Sequence, residues 1–142
     1  MADWKGKARS NYFEVKDEFA FNAWAERRQV TVAFKLRDIG KRKDVRTVAI
    51  FANTEDGSWP TYSMAEDDDV DFVNEVSDHL IDGEVVVLME VGSEKSCYVT
   101  GVAQAFDIRG RESLVRISLD DIYLAAATQF GITVADISDC TY

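Results

Sequence analysis

Basic side chains are missing from a long central segment of the sequence. Between Thr47 and Glu94 there is no lysine or arginine, although the segment holds 13 of the 26 aspartates and glutamates. The whole chain carries a net charge of −10, whereas proteins that bind nucleic acid use cations to neutralise phosphates. The composition therefore argues against direct binding of nucleic acid, and also against binding to an anionic membrane surface.

The residues on which metal and nucleophile chemistry depends are scarce. There is one histidine, His79, and the two cysteines, Cys97 and Cys140, lie 43 positions apart. This set does not have the spacing of zinc ligands, and the sequence contains no nucleophile elbow or phosphate-binding glycine loop. We therefore predict no metal, no cofactor and no catalytic residue. An enzyme whose site no sequence pattern reveals is kept as an alternative.

The acidic run at 67–78 has some of the features of a calcium-binding loop. Asp67, Asp69 and Asp71 alternate, as the ligands of an EF-hand loop do. That loop also needs glycine at its sixth position and glutamate at its twelfth, where this sequence has Phe72 and Asp78. Because phenylalanine cannot make the required turn, we predict no EF-hand.

Long hydrophobic runs are also missing. No apolar stretch approaches the ~20 residues that a membrane-spanning helix needs, and the first residues show no stretch of the signal-peptide type. Two cysteines fit free thiols in a reducing compartment. We expect a protein of the cytoplasm.

Apolar side chains are nevertheless abundant, at 46% of the residues, which is enough for the core of one domain spanning 1–142. Periodicity predicts a single α+β domain: an antiparallel sheet of five or six strands with about three helices packed on one side. The expected strands are 11–15, 30–36, 45–53, 84–91, 96–106 and 113–118, and the expected helices are 18–28, 68–81 and 122–130.

The run at 84–91 is nearly continuously apolar, which is typical of a central strand covered on both faces. We expect Val85, Val87 and Met89 on one face and Val86, Leu88 and Val91 near the other to be largely buried.

The acidic run 64–80 begins the predicted helix 68–81. Asp67, Asp68 and Asp69 fall at or before its first turn, where carboxylates stabilise the positive end of the helix dipole. This leaves Asp71, Glu75 and Asp78 to face outward at intervals of about one 5.4 Å turn. That spacing is sparser than the charges of duplex DNA, which come about every 1.7 Å, but together with Glu84, Glu90 and Glu94 we expect it to imitate the phosphates of one strand. The predicted partner-binding residues are Asp67, Asp68, Asp71, Glu75, Asp78, Glu84, Glu90 and Glu94, with Trp59 as an anchor in a loop.

Three stretches, "RSNYFEVKD" (9–17), "GEVVVLMEVGSEKSCYVTGVAQAF" (83–106) and "SLDDIYLAAATQFG" (118–131), resemble small acidic proteins encoded on bacterial plasmids and phages. Most proteins of that group have no assigned function, so the resemblance implies no catalytic residue. It implies a setting: an inhibitor of host defence, of the anti-CRISPR or anti-restriction type, that occupies a nucleic-acid site on a basic host complex. The basic stretch 35–46 is outside the resemblance.

Two non-enzymatic hypotheses follow. In the first, a negatively charged surface imitates DNA and docks on a basic, nucleic-acid-binding complex of the host. In the second, the charge keeps an accessory or assembly protein in solution without mimicry. The sequence leaves the partner, the oligomeric state and the role of 35–46 open.

Overall fold

A computed structural model describes residues 4–95 and 97–140. The strands are β1 (Trp4–Ser10), β2 (Val30–Ile39), β3 (Arg42–Ala52), β4 (Tyr62–Ser63), β5 (Asp68–Asp69), β6 (Val86–Glu94), β7 (Tyr98–Phe106) and β8 (Val115–Ser118). The helices are α1 (Glu18–Arg27), α2 (Phe72–Ser77) and α3 (Asp121–Phe130), with short 3₁₀ turns at Gly110–Ser113 and Val134–Asp136.

Six of the strands form one antiparallel sheet in the order β2-β3-β1-β6-β7-β8. The two short strands β4 and β5 pair separately as a hairpin. The predicted α+β fold, with a six-stranded antiparallel sheet and three helices, is confirmed. Within the described ranges, no helix combines the length and the apolar character that a membrane crossing requires.

Helix α1 begins where the sequence predicts it. The Asp17 carboxylate accepts a hydrogen bond from the Ala20 N–H at 3.2 Å, which satisfies one of the free donors of the first turn. Phe21, Trp24 and Ala25 are buried on one side of the helix. Local capping and apolar spacing are therefore sufficient to define this element.

The core lies between α1, α2 and one face of the sheet, which we call the inner face. The sheet contributes Ala8, Val48, Ile50, Val86, Leu88 and Phe106, and the covering elements contribute Phe13, Phe21, Trp24, Trp59, Phe72, Val76 and Leu80. Aromatic rings meet at its centre, with the Phe21 and Trp24 centroids 5.3 Å apart. Such contacts add about 0.5–1.5 kcal/mol each beyond the burial of area.

The first strand differs from the prediction. The strand is β1, at Trp4–Ser10, whereas 11–15 makes only the isolated bridges Phe13–Val48 and Val15–Leu80. In β1 three of the four inward positions hold the small residues Gly6, Ala8 and Ser10, and the outward positions hold Lys5, Lys7 and Arg9. Because Trp4 is the one large apolar residue in it, the strand does not have the usual alternation of apolar and polar side chains.

The expectation that both faces of 84–91 are buried is wrong. Strand β6 is central and buries Val86 and Leu88, but Val85, Met89 and Val91 are all at least half exposed. Helices α1 and α2 cover the inner face, and no helix within 4–95 and 97–140 covers the exposed apolar side chains on the opposite side of β6, β7 and β8.

Helix α3 follows β8 at the edge of the sheet. The Asp121 carboxylate accepts the Ser118 N–H at 2.7 Å, and the helix ends at Gly131, whose φ of 67° is left-handed as in many C-caps. Of the ten α3 residues, Ala127 is the one that the described chain buries. Most of its apolar side chains therefore face solvent.

Candidate interaction surface

The acidic run 64–80 does not form one helix. Helix α2 begins at Phe72 instead of residue 68. Asp67 lies in a turn with φ 51°, and Asp68 and Asp69 form strand β5. The prediction that Asp67, Asp68 and Asp69 start the helix is therefore wrong. Aspartate tolerates a left-handed turn about as readily as it caps a helix, and at this position the turn is formed.

The hairpin β4–β5 presents these aspartates to solvent. Asp67, Asp68 and Asp69 are exposed, and none forms an ion pair with a residue in 4–95 or 97–140. The Tyr62 hydroxyl donates a hydrogen bond to Asp67, which raises the pKa of that phenol. At the tip, the Met64 side chain is 87% exposed. The hairpin thus combines three unneutralised charges with an apolar tip.

Glu75 is turned inward instead of outward. Its carboxylate accepts hydrogen bonds from Trp24 Nε1 and Arg28 Nε, both at 2.8 Å, and from Arg28 Nη2 at 3.0 Å. Burial alone would raise the pKa of Glu75, but the bonds from Arg28 and Trp24 outweigh it and hold the pKa below its ordinary value. Arg28, whose side chain is 7% exposed, also reaches Glu66 at 3.2 Å. This cluster joins α1 to α2.

Asp71 is neutralised as well. Arg111 Nε donates to it at 2.7 Å and Asn74 Nδ2 at 2.8 Å. Burial raises the pKa of Asp71, but these bonds outweigh it and the net shift is downward. Asp71 and Glu75 therefore hold the fold together, and their charges are offset within the molecule.

Three other carboxylates of the predicted surface belong to other elements than the hairpin. Asp78 is exposed at the end of α2. The hydrogen bond to Glu14 raises the pKa of the Arg42 guanidinium, and the charge of Glu84 adds a smaller contribution in the same direction. Glu94 lies at the end of β6, opposite Trp4 and Tyr98.

Glu90 and Trp59 meet on the inner face. Burial raises the pKa of the Glu90 carboxyl, whose Oε1 accepts the Trp59 backbone N–H at 3.2 Å. The Trp59 indole is buried and stacks on Phe72, with centroids 5.1 Å apart. A buried indole offers little surface to a partner, so we leave Trp59 out of the surface proposed here.

The basic stretch 35–46 belongs to the ends of β2 and β3, which are longer than predicted and meet at Gly40 and Lys41. Two of its three arginines reach acidic residues near α1: Arg42 binds Glu14 at 2.9 Å and Arg46 binds Glu18 at 2.5 Å. Much of its charge is thus offset within the fold, as is usual at exposed sheet edges.

Two features of the structure were not predicted from the sequence. Arg28 is buried, yet nothing in "ERRQ" distinguishes it from its exposed neighbour Arg27. The row Lys5, Lys7 and Arg9 was also missed, although its strict alternation with small residues was a signal that the sequence carries.

Among the described residues, no three histidine, cysteine, aspartate or glutamate side chains come together in a group suited to holding a metal ion. Comparisons with protein-family models, curated proteins and solved structures each found no match.

Proposed function

We propose that this protein is a non-enzymatic binding protein that docks on a basic partner through its acidic hairpin β4–β5. One observation carries the proposal. Of the 13 carboxylates between 47 and 94, Glu66, Asp71 and Glu75 form ion pairs, and the other ten form none with the described residues. The fold thus leaves a large excess of negative charge without compensation.

The hairpin is the part of this region best suited to contact a partner. Its carboxylates at 67, 68 and 69 are consecutive, so two strand faces and the turn all carry charge. Met64 and the half-exposed Tyr62 lie beside them, and apolar or aromatic side chains supply the buried centre of most protein interfaces. Charge would then guide the encounter, and Met64 and Tyr62 would supply contact area.

The partner class comes from the resemblance to acidic plasmid and phage proteins. It favours a nucleic-acid-binding defence complex of the host cytoplasm, such as a CRISPR effector or a restriction enzyme, whose cationic groove attracts negative charge. The protein would then inhibit by occupying that groove. We assign the imitation of phosphates to the hairpin instead of the predicted face of α2, because Asp71 and Glu75 on that helix are paired with arginines.

The test neutralises the hairpin and an equal charge elsewhere. Asp67→Asn, Asp68→Asn and Asp69→Asn are combined in one variant, and the control combines Glu26→Gln, Glu112→Gln and Asp139→Asn, which are exposed carboxylates without ion pairs in the described chain. Partners are captured from bacterial lysate at low salt and released at high salt. Association of the captured complex with each variant is then timed at two salt concentrations.

We expect the hairpin variant to associate about tenfold more slowly at low salt, with a flatter salt dependence, because exposed charge mainly sets the encounter rate. The control should change association by about twofold or less. Equal effects of the two variants, or an affinity indifferent to salt, would show that the charge serves solubility instead.

A further inference from the structure

An apolar patch crosses the open side of β6, β7 and β8 and continues onto α3. Its side chains are each 54–71% exposed. They are Met89, Val91, Val99, Val115, Ile117, Leu119, Ile122 and Phe130. We call this set the open face.

The strand register shows that the open face is continuous. Residues paired across antiparallel strands point to the same side of a sheet. Met89 is opposite Ala103, and Ala103 is opposite Ile117. In the neighbouring row, Val91 is opposite Gly101, whose carbonyl accepts the Leu119 N–H at 2.9 Å.

Gly101 makes room for the next part of the patch. A Cβ at this position would lie 3.0 Å from Leu119 Cγ, so the Leu119 side chain rests on the bare backbone. Ile122 follows in the first turn of α3, and Phe130 lies eight residues later on the same side of the helix. The residues of the patch therefore continue along the polypeptide from strand β8 into helix α3.

The size of the open face exceeds what a monomer normally exposes. Its eight residues together expose on the order of 800–900 Å², backbone included, whereas the largest apolar patch of a typical monomer is about 300–600 Å². About 800 Å² is also what each partner contributes to a stable interface of standard size. The area therefore matches one protein partner of ordinary interface size.

Charges at the two ends of the open face indicate which partner fits. Lys7 and Arg9 lie on β1, directly opposite Val91 and Met89. Asp120 and Asp121 follow Leu119 at the far edge of the sheet. A twofold axis through the middle of the patch would place the cations of one copy against the anions of the other, as a self-complementary interface requires.

We propose that a second copy of this chain covers the open face, forming a twofold dimer through β6, β7, β8 and α3. This proposal concerns a surface separate from the acidic hairpin, and does not depend on the proposed function. The hairpin variant described above should stay dimeric, so the two proposals succeed or fail separately.

The first test compares two leucines of equal exposure. Leu119 lies in the open face and Leu36 lies in β2 at the opposite edge of the sheet, and each is 54% exposed. The mass of one chain is 16.0 kDa. At a protein concentration of about 100 µM, sedimentation of the full chain should show a dimer. Leu119→Lys should raise the dimer Kd by about tenfold or more, and Leu36→Lys should change it by about twofold or less. Ile117→Lys serves as a second variant, and circular dichroism checks that each variant is folded.

The second test uses the oxidation of two methionines in the unmodified protein. Met89 lies in the open face and Met64 lies at the tip of the hairpin. Concentrating the protein should slow oxidation of Met89 several-fold and leave Met64 unchanged, because oxidation follows exposure. A wild-type monomer at about 100 µM, equal effects of Leu119→Lys and Leu36→Lys, or unchanged oxidation of Met89 would each overturn the proposal.

Discussion

The two faces of strand β6 have the same kind of sequence and different surroundings. Val86 and Leu88 are 0% and 2% exposed on the inner face, whereas Met89 and Val91 are 54% and 55% exposed on the other. Both pairs are apolar, so composition alone assigns both to a core. The difference shows that an apolar strand reveals how much surface needs covering, but not whether the same chain covers it.

The largest effect should come from cutting back one side chain on each face. Leu88→Ala should destabilise the protein by about 2–5 kcal/mol, because it leaves a cavity in a packed core. Met89→Ala should cost less than about 1 kcal/mol in dilute solution, where the open face is in water in both states. Urea unfolding at low protein concentration measures both free energies. Equal losses would mean that the two faces of β6 are not distinguished by packing.

A second, smaller contrast lies between two carboxylates, that of Glu75 within α2 and that of Asp71 at the N-cap of α2. Glu75→Gln should cost about 1.5–3 kcal/mol, the range for hydrogen bonds to charged groups, because it weakens the bonds to a buried arginine. Asp71→Asn should cost about 0–1 kcal/mol, since its partner Arg111 is exposed. The free energies of unfolding of the two variants test whether Glu75 contributes more to stability than Asp71 does. A more damaging Asp71→Asn would place the main anchor of α2 at its start instead.

These contrasts also explain which parts of the fold were predictable. Helix α1 follows from Asp17 and three apolar residues within ten positions, so its signal is local. Strand β1 was missed because three of its four inward positions are the small residues Gly6, Ala8 and Ser10, with Trp4 as the fourth, so it lacks the apolar pattern of a buried strand. Gly6 is in close contact with the next loop, where its N–H binds the Asp56 carbonyl at 3.0 Å.

The candidate surface was less predictable because residues distant in sequence determine which of the predicted carboxylates are neutralised. Glu75 meets Arg28 across 47 positions and Asp71 meets Arg111 across 40. No local rule selects those arginines. The aspartates at 67–69 suit a turn or a helix start about equally, and the choice depends on the pairing of β4 with β5.

The smallest contrast concerns two titratable groups on the inner side of the sheet. His79 packs against Phe21 and Trp24, with centroids 5.3 and 5.6 Å away, and burial lowers its pKa. As pH falls through about 6.5, the unfolded chain gains a proton that the folded chain resists, so stability falls. Burial of Glu90 acts in the opposite sense. Its raised pKa means that the folded chain takes up a proton first, and stability rises as pH falls through that pKa.

The two groups should therefore be separable by single substitutions. His79→Gln should reduce the loss of stability as pH falls through about 6.5, and Glu90→Gln should remove the gain in stability as pH falls through the raised pKa of Glu90, because each variant lacks one of the opposing titrations. The charged groups that act on the pKa of His79 after burial are Asp78, Lys16, Arg27 and Asp17. Urea unfolding at several pH values gives the slopes. Parallel profiles for the wild type and both variants would mean that folding shifts the pKa of neither group.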